Sequence, residues 1–217
     1  MNDKYKKELL YLDSSSISDA LDSLNIPGAL IGIKPRSLKN KFAGPVFTVK
    51  YRPIKNNSNS YKNAGNYIDD VPKDHVVLID NDGRNDCTNW GEILTHKAIR
   101  NSLAGTVIHG SCRDISQIKN TNYPIFSQHV FMQSGKNRVE IKEVQCLITI
   151  NHVKINPNDW IFGDENGVVV IPKKYLEEVI RRAKRVIETE HKILVSIEKG
   201  ASLKEAREKY GYATPWN

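Results

Sequence analysis

Cysteine is scarce in this sequence, and its few copies are not arranged to bind a metal or to form a disulfide framework. The 217 residues contain three cysteines, Cys87, Cys112 and Cys146, and no two of them form a CxxC pair. An odd count without paired spacing argues against a disulfide-stabilised fold and a structural zinc site. The histidines show neither HxH nor HExxH spacing, which also argues against zinc. We interpret Cys112 as a small buried side chain.

Long apolar segments are lacking as well. No run approaches the roughly 18–20 residues that a membrane-spanning helix needs. Residues 1–7 include basic side chains, but no apolar signal core follows them. We therefore expect a cytoplasmic protein without a membrane partner.

Acidic residues are outnumbered by basic ones. The sequence has 32 Lys and Arg against 25 Asp and Glu, which gives a formal net charge of +7. Such a balance can indicate nucleic acid or anionic substrates as partners. The excess is scattered, however, and its densest part is Arg181, Arg182, Lys184 and Arg185 on a predicted helix. Aromatic and basic residues are not interleaved as in common RNA-binding modules. We interpret this face as solvated and do not expect a nucleic-acid partner.

The hydrophobic pattern predicts a single α/β domain with a strand-rich core. The composition, 39% hydrophobic and 26% charged, is that of an ordinary globular protein, and the length suits one domain. Apolar spacing of three and four residues predicts helices at 14–25 (with Ser16 as N-cap), 90–102, 115–120, 174–199 and 202–210. Short apolar runs predict strands at 42–50, 75–80, 105–110, 124–126, 139–141, 146–150 and 168–171, and the polar residues 56–66 predict a loop. This mixed order does not fit a regular doubly wound sheet.

Two segments carry residue types suited to an anionic substrate. In Trp90-Gly91-Glu92-Ile93-Leu94, a glycine stands immediately before a predicted helix, whose first N–H groups can bind a carboxylate. The strand at 105–110 leads through a glycine turn to Arg113 and Asp114. Arginine offers a planar fork to a carboxylate or a developing enolate, and aspartate offers a hard oxygen ligand to Mg²⁺ or Mn²⁺. The pair suits a metal-plus-oxo-acid site, although Arg-Asp dipeptides also form ordinary surface ion pairs.

These segments belong to a longer pattern, WGEIL…AGTVIHGSCRD…YPIF…VKINPNDWIFGDENGVVVIP. The pattern closely resembles the family of 4-hydroxy-4-methyl-2-oxoglutarate aldolases, which shares its fold with the regulator of ribonuclease E activity. The resemblance runs from about residue 16 to about residue 200. It implies a compact α/β/β sandwich of the swivelling-domain type: a single aldolase-like domain over 1–217, with an N-terminal extension at 1–13 and a C-terminal helical segment at 174–217. It also implies a homotrimer or homohexamer with sites between subunits.

The resemblance assigns the central roles to the Arg-Asp pair. Arg113 matches the family arginine that holds the pyruvate unit and stabilises its enolate. Asp114 matches the direct ligand of the catalytic Mg²⁺ or Mn²⁺. Both residues are therefore our predicted catalytic residues.

Other site residues follow from the same resemblance. Glu92, with the amides of Ile93 and Leu94, matches the loop that receives the substrate carboxylate and the metal-bound waters, and Gly91 begins this loop. Glu190 matches an acid that a neighbouring subunit contributes to the water shell of the metal. The predicted substrate-binding residues are thus Gly91, Glu92, Ile93, Leu94 and Arg113.

The sequence departs from the family pattern at two places. His109 stands where the family usually has aspartate, and Asn151-His152 stands where a glycine pair often precedes a strand. The resemblance also implies an acid associated with the catalytic water near Asp86 or Cys87, and the register leaves open which position it matches. For His109 we favour a structural, hydrogen-bonded role over general acid/base catalysis. These departures leave open the substrate choice and the proton-transfer group.

Two functions are compatible with these observations. The first is a metal-dependent lyase that cleaves 4-hydroxy-2-oxo acids or decarboxylates oxaloacetate, since both reactions pass through one pyruvate enolate. The alternative is a non-catalytic, protein-binding regulator of ribonuclease activity. As the family pattern implies, regulators lack an acid after the arginine and are shorter at the C-terminus. Asp114 and the long helix that carries Glu190 therefore favour the enzyme.

Overall fold

The structure follows the predicted mixed order of helices and strands. It is a computed structural model that describes residues 2–38, 41–54 and 65–216, so most of the loop predicted at 56–66 lies outside the described residues. The helices are α1 (Asn2–Tyr11), α2 (Ser14–Asp22), α3 (Glu92–Arg100), α4 (Ile115–Ile118), α5 (Leu176–Glu198) and α6 (Leu203–Tyr210). The strands are β1 (Lys34–Pro35), β2 (Phe42–Pro53), β3 (Val76–Asp80), β4 (Thr88–Trp90), β5 (Gly105–Cys112), β6 (Ile125–Val130), β7 (Val139–Val144), β8 (Ile148–Ile150), β9 (Val153–Ile155), β10 (Trp160–Asp164) and β11 (Gly167–Ile171).

Nine of these strands form one mixed sheet within the described ranges. Its order is β1, β6, β5, β3, β2, β10 and β11, while β4 pairs with β5 and β7 pairs with β2. The strands β2 to β6 pair in parallel where they meet, whereas β1, β7, β10 and β11 pair antiparallel. The sheet nearly closes into a barrel. Because parallel strands end at the same edge, the residues that follow β3 and β5 lie on one side of the molecule.

Three apolar cores lie between the layers formed by the described residues. The first is between the parallel strands and the helices α3 and α4, and includes Trp90 and Ile108. The second is between the parallel strands and the layer of β8 to β11, where the rings of Phe42 and Phe126 pack edge to face at 5.1 Å. The third packs α1, α2 and α5 against β10 and β11, around Phe162. This layering confirms the predicted single-domain α/β/β class.

The start of α2 corrects one prediction. The N-cap is Asp13, whose side chain accepts a hydrogen bond from the Ser16 amide at 2.7 Å. Ser16, the expected cap, lies inside the first turn, where its hydroxyl donates to the Asp13 carbonyl at 3.0 Å. Both residue types are good caps and they lie three positions apart, so local sequence alone does not choose between them.

The apolar spacing does not predict α1 or β10. The helix α1 lies in the segment that we expected as an N-terminal extension, and its Leu9 and the following Leu12 are fully buried in the third core. All five residues of β10 are buried, because the sheet has a layer on each face, and the alternation typical of a strand is therefore lost.

The long helix α5 agrees with the helix predicted at 174–199. It ends at the C-cap Lys199, and Gly200 follows with φ +93°, a conformation that glycine adopts readily. A basic stripe on its surface is paired in part with acids: Arg181 and Arg182 each contact Glu178 at 2.6 Å. No helix in the described part of the chain is both long and apolar enough to cross a membrane.

Candidate active site

A cavity of about 590 Å³ lies beside the C-terminal ends of β4 and β5. Its wall includes β4, the start of α3, the end of β5, the turn at Asn66–Asp70 and the loop around Lys136. All of the residues predicted to act within one chain line it: Gly91, Glu92, Ile93, Leu94, Arg113 and Asp114. The structure therefore brings the two sequence motifs together in one site.

Backbone contacts hold Arg113 and Asp114 at the end of β5. The Arg113 amide donates to the Trp90 carbonyl at 3.0 Å, which joins β5 to β4. Asp114 is in the left-handed region (φ +60°) and caps α4, where its carbonyl accepts from the Gln117 and Ile118 amides. A left-handed backbone is uncommon outside glycine, so the chain turns sharply here and presents both side chains to the cavity.

The first turn of α3 binds Asp114 directly. The Glu92 amide donates to Oδ2 of Asp114 at 2.9 Å, and Nε of Arg113 lies 3.5 Å from the same oxygen. We expected free N–H groups for the substrate at this helix terminus; at Glu92 the amide instead holds the aspartate. This contact fixes the position of the Asp114 carboxylate against the N-terminus of α3.

Gly91 makes room for this contact. A Cβ on Gly91 would clash with Oδ2 of Asp114 and would lie 3.2 Å from Cγ of Arg113. A neighbouring set of hydrogen bonds fixes the glycine: Nε1 of Trp90 donates to the Thr95 hydroxyl, which donates to the Gly91 carbonyl, each at 2.9 Å. The close approach of α3 to the Arg-Asp pair therefore requires glycine at this position.

The other residues of the predicted loop differ in their surroundings. The Glu92 side chain is half exposed and lies 3.8 Å from Nε2 of His96. Ile93 is 83% exposed at the rim of the cavity, whereas Leu94 packs against the first core. Further along the wall, Lys97 pairs with Asp69 at 2.7 Å.

Some residues of the wall were not predicted. Tyr51, Asn89 and Lys136 come from three separate segments. Burial raises the pKa of Tyr51, more than the neighbouring Tyr67 and Asn89 side chains lower it, so Tyr51 is a neutral phenol at physiological pH. No local motif marks these residues, because only the folded topology brings them to one cavity.

His109 lies outside the lining of this cavity and forms a separate pair. Its Nδ1 is 2.8 Å from Oδ1 of Asp80, and Lys50 approaches the other oxygen at 3.6 Å. Burial alone would raise the pKa of Asp80, but hydrogen bonds from His109 and the Asp82 amide outweigh it, and the pKa is lowered overall. These contacts agree with the structural interpretation of His109. Near the expected position of the catalytic-water acid, Asp86 is exposed and pairs with Arg84 at 2.7 Å.

Glu190 lies on α5 in a different cavity, of about 250 Å³, together with Asp19 and Asp22. Burial, and then the charges of Asp19 and Asp13, raise its pKa. Glu190 does not line the Arg113 cavity of its own chain. Its predicted role requires a second copy, and it stays a prediction.

Comparison with known proteins identifies the family. A family model described as RraA-like, Aldolase/RraA, matches residues 14–170. The chain belongs to the RraA-like family. This result confirms the resemblance found in the sequence motifs.

Individual relatives extend the comparison. Protein DlpA of Legionella pneumophila is 48% identical over 97% of this chain, which spans only 34% of that protein. A protein of Halalkalibacterium halodurans, provisionally named as a 4-hydroxy-4-methyl-2-oxoglutarate aldolase, is 33% identical over 80% of this chain and 79% of its own length.

Solved structures support the same fold. An uncharacterized protein from Pseudomonas syringae pv. tomato superimposes with a TM-score of 0.86 at 42% identity, covering 95% of this chain and 98% of that one. Streptomyces coelicolor RraAS2, described as an unusual member of the RNase ES inhibitor RraA protein family, gives a TM-score of 0.77 at 21% identity, over 87% and 95% of the two chains. At that identity the second likeness shows the fold alone.

Proposed function

We propose that this chain is a divalent-metal-dependent carbon–carbon lyase that acts on small 2-oxo acids through a pyruvate enolate. It cleaves 4-hydroxy-2-oxo acids as a class II pyruvate aldolase does, or decarboxylates oxaloacetate at the same site. The observation that carries this proposal is Arg113 next to Asp114, with Nε 3.5 Å from Oδ2, in the wall of a 590 Å³ cavity. Membership of the Aldolase/RraA family and the aldolase name of a relative at 33% identity support it.

The oxygen donors near Asp114 fit Mg²⁺ or Mn²⁺. The Glu92 amide engages Oδ2, and we assign Oδ1 as the metal ligand. The half-exposed Glu92 carboxylate can bind a metal-bound water. Among the described residues, no three His, Cys, Asp or Glu side chains form a complete cage. Mg²⁺ typically keeps several waters and uses one or two carboxylates with substrate oxygens, so an open set of this kind suits it.

Different residues of the cavity bind the substrate and stabilise the charge that develops on it. A bound Mg²⁺ or Mn²⁺ would supply Lewis-acid polarisation of the keto oxygen. Arg113 provides a fixed cation for the negative charge that develops on the enolate. The amides of Ile93 and Leu94, in the first turn of α3, can bind the substrate carboxylate. The Glu92 amide keeps Asp114 in place throughout.

The test is release of pyruvate from oxaloacetate and from a 4-hydroxy-2-oxo acid. We expect turnover with Mg²⁺ or Mn²⁺ and its loss when EDTA is added. A blank with the same metal but no protein corrects for spontaneous decarboxylation. Full turnover in EDTA would remove the metal from the mechanism. Inactivity on every 2-oxo acid would instead favour the binding-protein alternative.

The proposal also requires self-association, because Glu190 lines a different cavity from Arg113 and Asp114 within one chain. We expect a trimer or hexamer by light scattering. A mixing experiment tests the shared site: Arg113→Ala and Glu190→Gln variants, each impaired alone, should regain activity after they are mixed and allowed to exchange subunits. A fully active monomer would contradict a site shared between subunits.

A further inference from the structure

The side chain of Asn89 is buried and has no hydrogen-bond partner among the described residues. Both its Oδ1 and its Nδ2 are inaccessible to solvent, and neither makes a hydrogen bond to any group in residues 2–38, 41–54 or 65–216. The Tyr67 hydroxyl is also buried and has no hydrogen-bond partner among the described residues. Buried polar groups are almost always paired, so an unpaired amide in the wall of a ligand cavity requires an explanation.

Asn89 is close to the Arg-Asp pair but distinct from it. It lies on β4, two residues before Gly91, which contacts Asp114. Two residues of extended chain span about 7 Å. A short carbon chain that is held at one end by Arg113 therefore reaches the Asn89 region with its other end.

The surroundings of Asn89 suit a neutral oxygen rather than a second carboxylate. The buried Tyr51 phenol lies beside Asn89 and Tyr67, and both side chains lower the pKa of its hydroxyl in part. An amide offers both a donor and an acceptor, which matches a hydroxyl group, whereas a carboxylate only accepts. Because no hydrogen bond from the described residues restrains the amide, a turn toward the cavity would cost it no described partner.

We propose that Asn89 is a specificity-determining residue that hydrogen-bonds the hydroxyl on the fourth carbon of a 4-hydroxy-2-oxo acid. This inference rests on the proposed lyase function and deepens it. It assigns the pyruvate half of the substrate to Arg113 and Asp114, and the half that departs as an aldehyde or ketone to Asn89. The same enzyme should then prefer hydroxylated substrates to those that lack the fourth-carbon hydroxyl.

Two reactions separate the halves of the site. Cleavage of a 4-hydroxy-2-oxo acid uses both halves, whereas exchange of the pyruvate methyl protons in D₂O, followed by NMR, uses only the pyruvate half. Asn89→Leu removes both polar atoms at similar volume. We expect it to lower kcat/KM for cleavage about tenfold or more relative to the exchange rate. The melting temperature should stay the same or rise, because an unpaired amide has been removed.

Asn166→Ala, at the exposed turn between β10 and β11, is the matched control and should leave both reactions unchanged. Asn89→Ala is a second variant in case leucine does not fit. Equal losses in cleavage and exchange, or a fall in melting temperature that accounts for the loss, would overturn the assignment. A wild-type rate of cleavage in either variant would do the same. If the wild-type protein catalyses neither reaction, the lyase proposal itself fails, and the role of Asn89 fails with it.

Discussion

Asp80 and Asp114 both stand at the C-terminal ends of parallel strands, yet their surroundings are opposite. The Asp80 side chain is 8% exposed, accepts a backbone amide at 3.0 Å, and has His109 at 2.8 Å and Lys50 at 3.6 Å. The Asp114 side chain is 34% exposed, and the hydrogen bond from Glu92 engages only one of its oxygens. Both acids lie at the ends of neighbouring parallel strands, but only Asp114 is open to the cavity.

This difference separates a structural carboxylate from a functional one. A carboxylate whose partners are all supplied by the protein contributes to stability, because removal of one partner leaves a buried group unpaired. A carboxylate that is held by one oxygen and open at the other can bind a ligand without breaking the fold. We therefore expect substitutions around Asp114 to alter catalysis and substitutions around Asp80 to alter stability.

The largest expected effect is that of Arg113→Ala. The enolate loses its fixed cation, and the loss of one such preorganised group typically costs about 10²–10³ in turnover. Steady-state pyruvate release measures this fall, and the melting temperature should change little because the side chain is 39% exposed. Arg181→Ala, which removes an exposed arginine paired with Glu178 on α5, is the control and should keep the wild-type rate. A wild-type rate in Arg113→Ala would mean that the site lies elsewhere.

Asp114→Ala should change the metal requirement. Its open oxygen is the proposed ligand, and even the loss of a group behind a ligand lowers metal affinity about 10–100-fold. We expect the Mn²⁺ concentration for half-maximal activity to rise by about tenfold or more, with partial recovery at high Mn²⁺. A metal titration of pyruvate release measures the shift. An unchanged titration curve would exclude Asp114 as a ligand.

Gly91→Ala tests the packing of α3 against the Arg113-Asp114 pair. The new Cβ would press against Oδ2 of Asp114 and displace the Arg-Asp pair from α3. Since a misplacement of about 1 Å can cost about 10²-fold, a partial displacement should lower kcat by about tenfold. If kcat and the metal titration both match the wild type, the contact between α3 and Asp114 is not needed for activity.

Asp80→Asn should have the smallest effect on catalysis and a clear effect on stability. The amide keeps a neutral acceptor but loses the charge that faces His109 and Lys50. We expect the free energy of unfolding to fall by about 1–3 kcal/mol at neutral pH, with pyruvate release within about twofold of the wild type. Urea unfolding and the pyruvate assay, run on the same preparations, measure both. A large loss of turnover at unchanged stability would make Asp80 part of the catalytic machinery.

The stabilisation from Asp80 should depend on pH in one direction. Its pKa in the folded state is lowered from the ordinary value of 3.8, so the ionised form stabilises the fold above that pH. The contribution is then lost as the pH falls from 3.8 through the folded-state pKa. The difference in unfolding free energy between the wild type and Asp80→Asn should therefore be complete at neutral pH and shrink under acid conditions. A difference that grows in acid would contradict the assigned direction.

The sequence predicts the centre of the site better than its outer wall. Gly91 to Leu94 and Arg113-Asp114 were predictable because each is a local motif at the end of a predicted strand or the start of a predicted helix. The pairing of β4 with β5 then brings the motifs together. Tyr51, Asn89 and Lys136 were not predictable, since each belongs to a segment whose position depends on tertiary packing. The sequence also does not predict the hydrogen bond from the Glu92 amide to Asp114, because no glycine or asparagine marks the left-handed turn at Asp114.

The limits of the fold prediction have a similar cause. Strands and helices with one apolar face were predicted because periodic spacing survives in their sequences. The strand β10 has no such spacing, since both of its faces are buried. At the start of α2, Asp13 and Ser16 were equally suitable caps, and the choice depends on where the chain enters the third core.

The position of β2 determines when this chain can finish folding during synthesis. One edge of β2 pairs with β3, which follows soon after it, but the other edge at Phe42–Pro45 pairs with Trp160–Gly163 of β10, far along the chain. Contacts between residues so distant in sequence slow folding. Until the ribosome has released β10, β2 presents an uncovered apolar edge that can pair with another nascent chain. The yield of properly folded protein should therefore be sensitive to translation speed and temperature during expression.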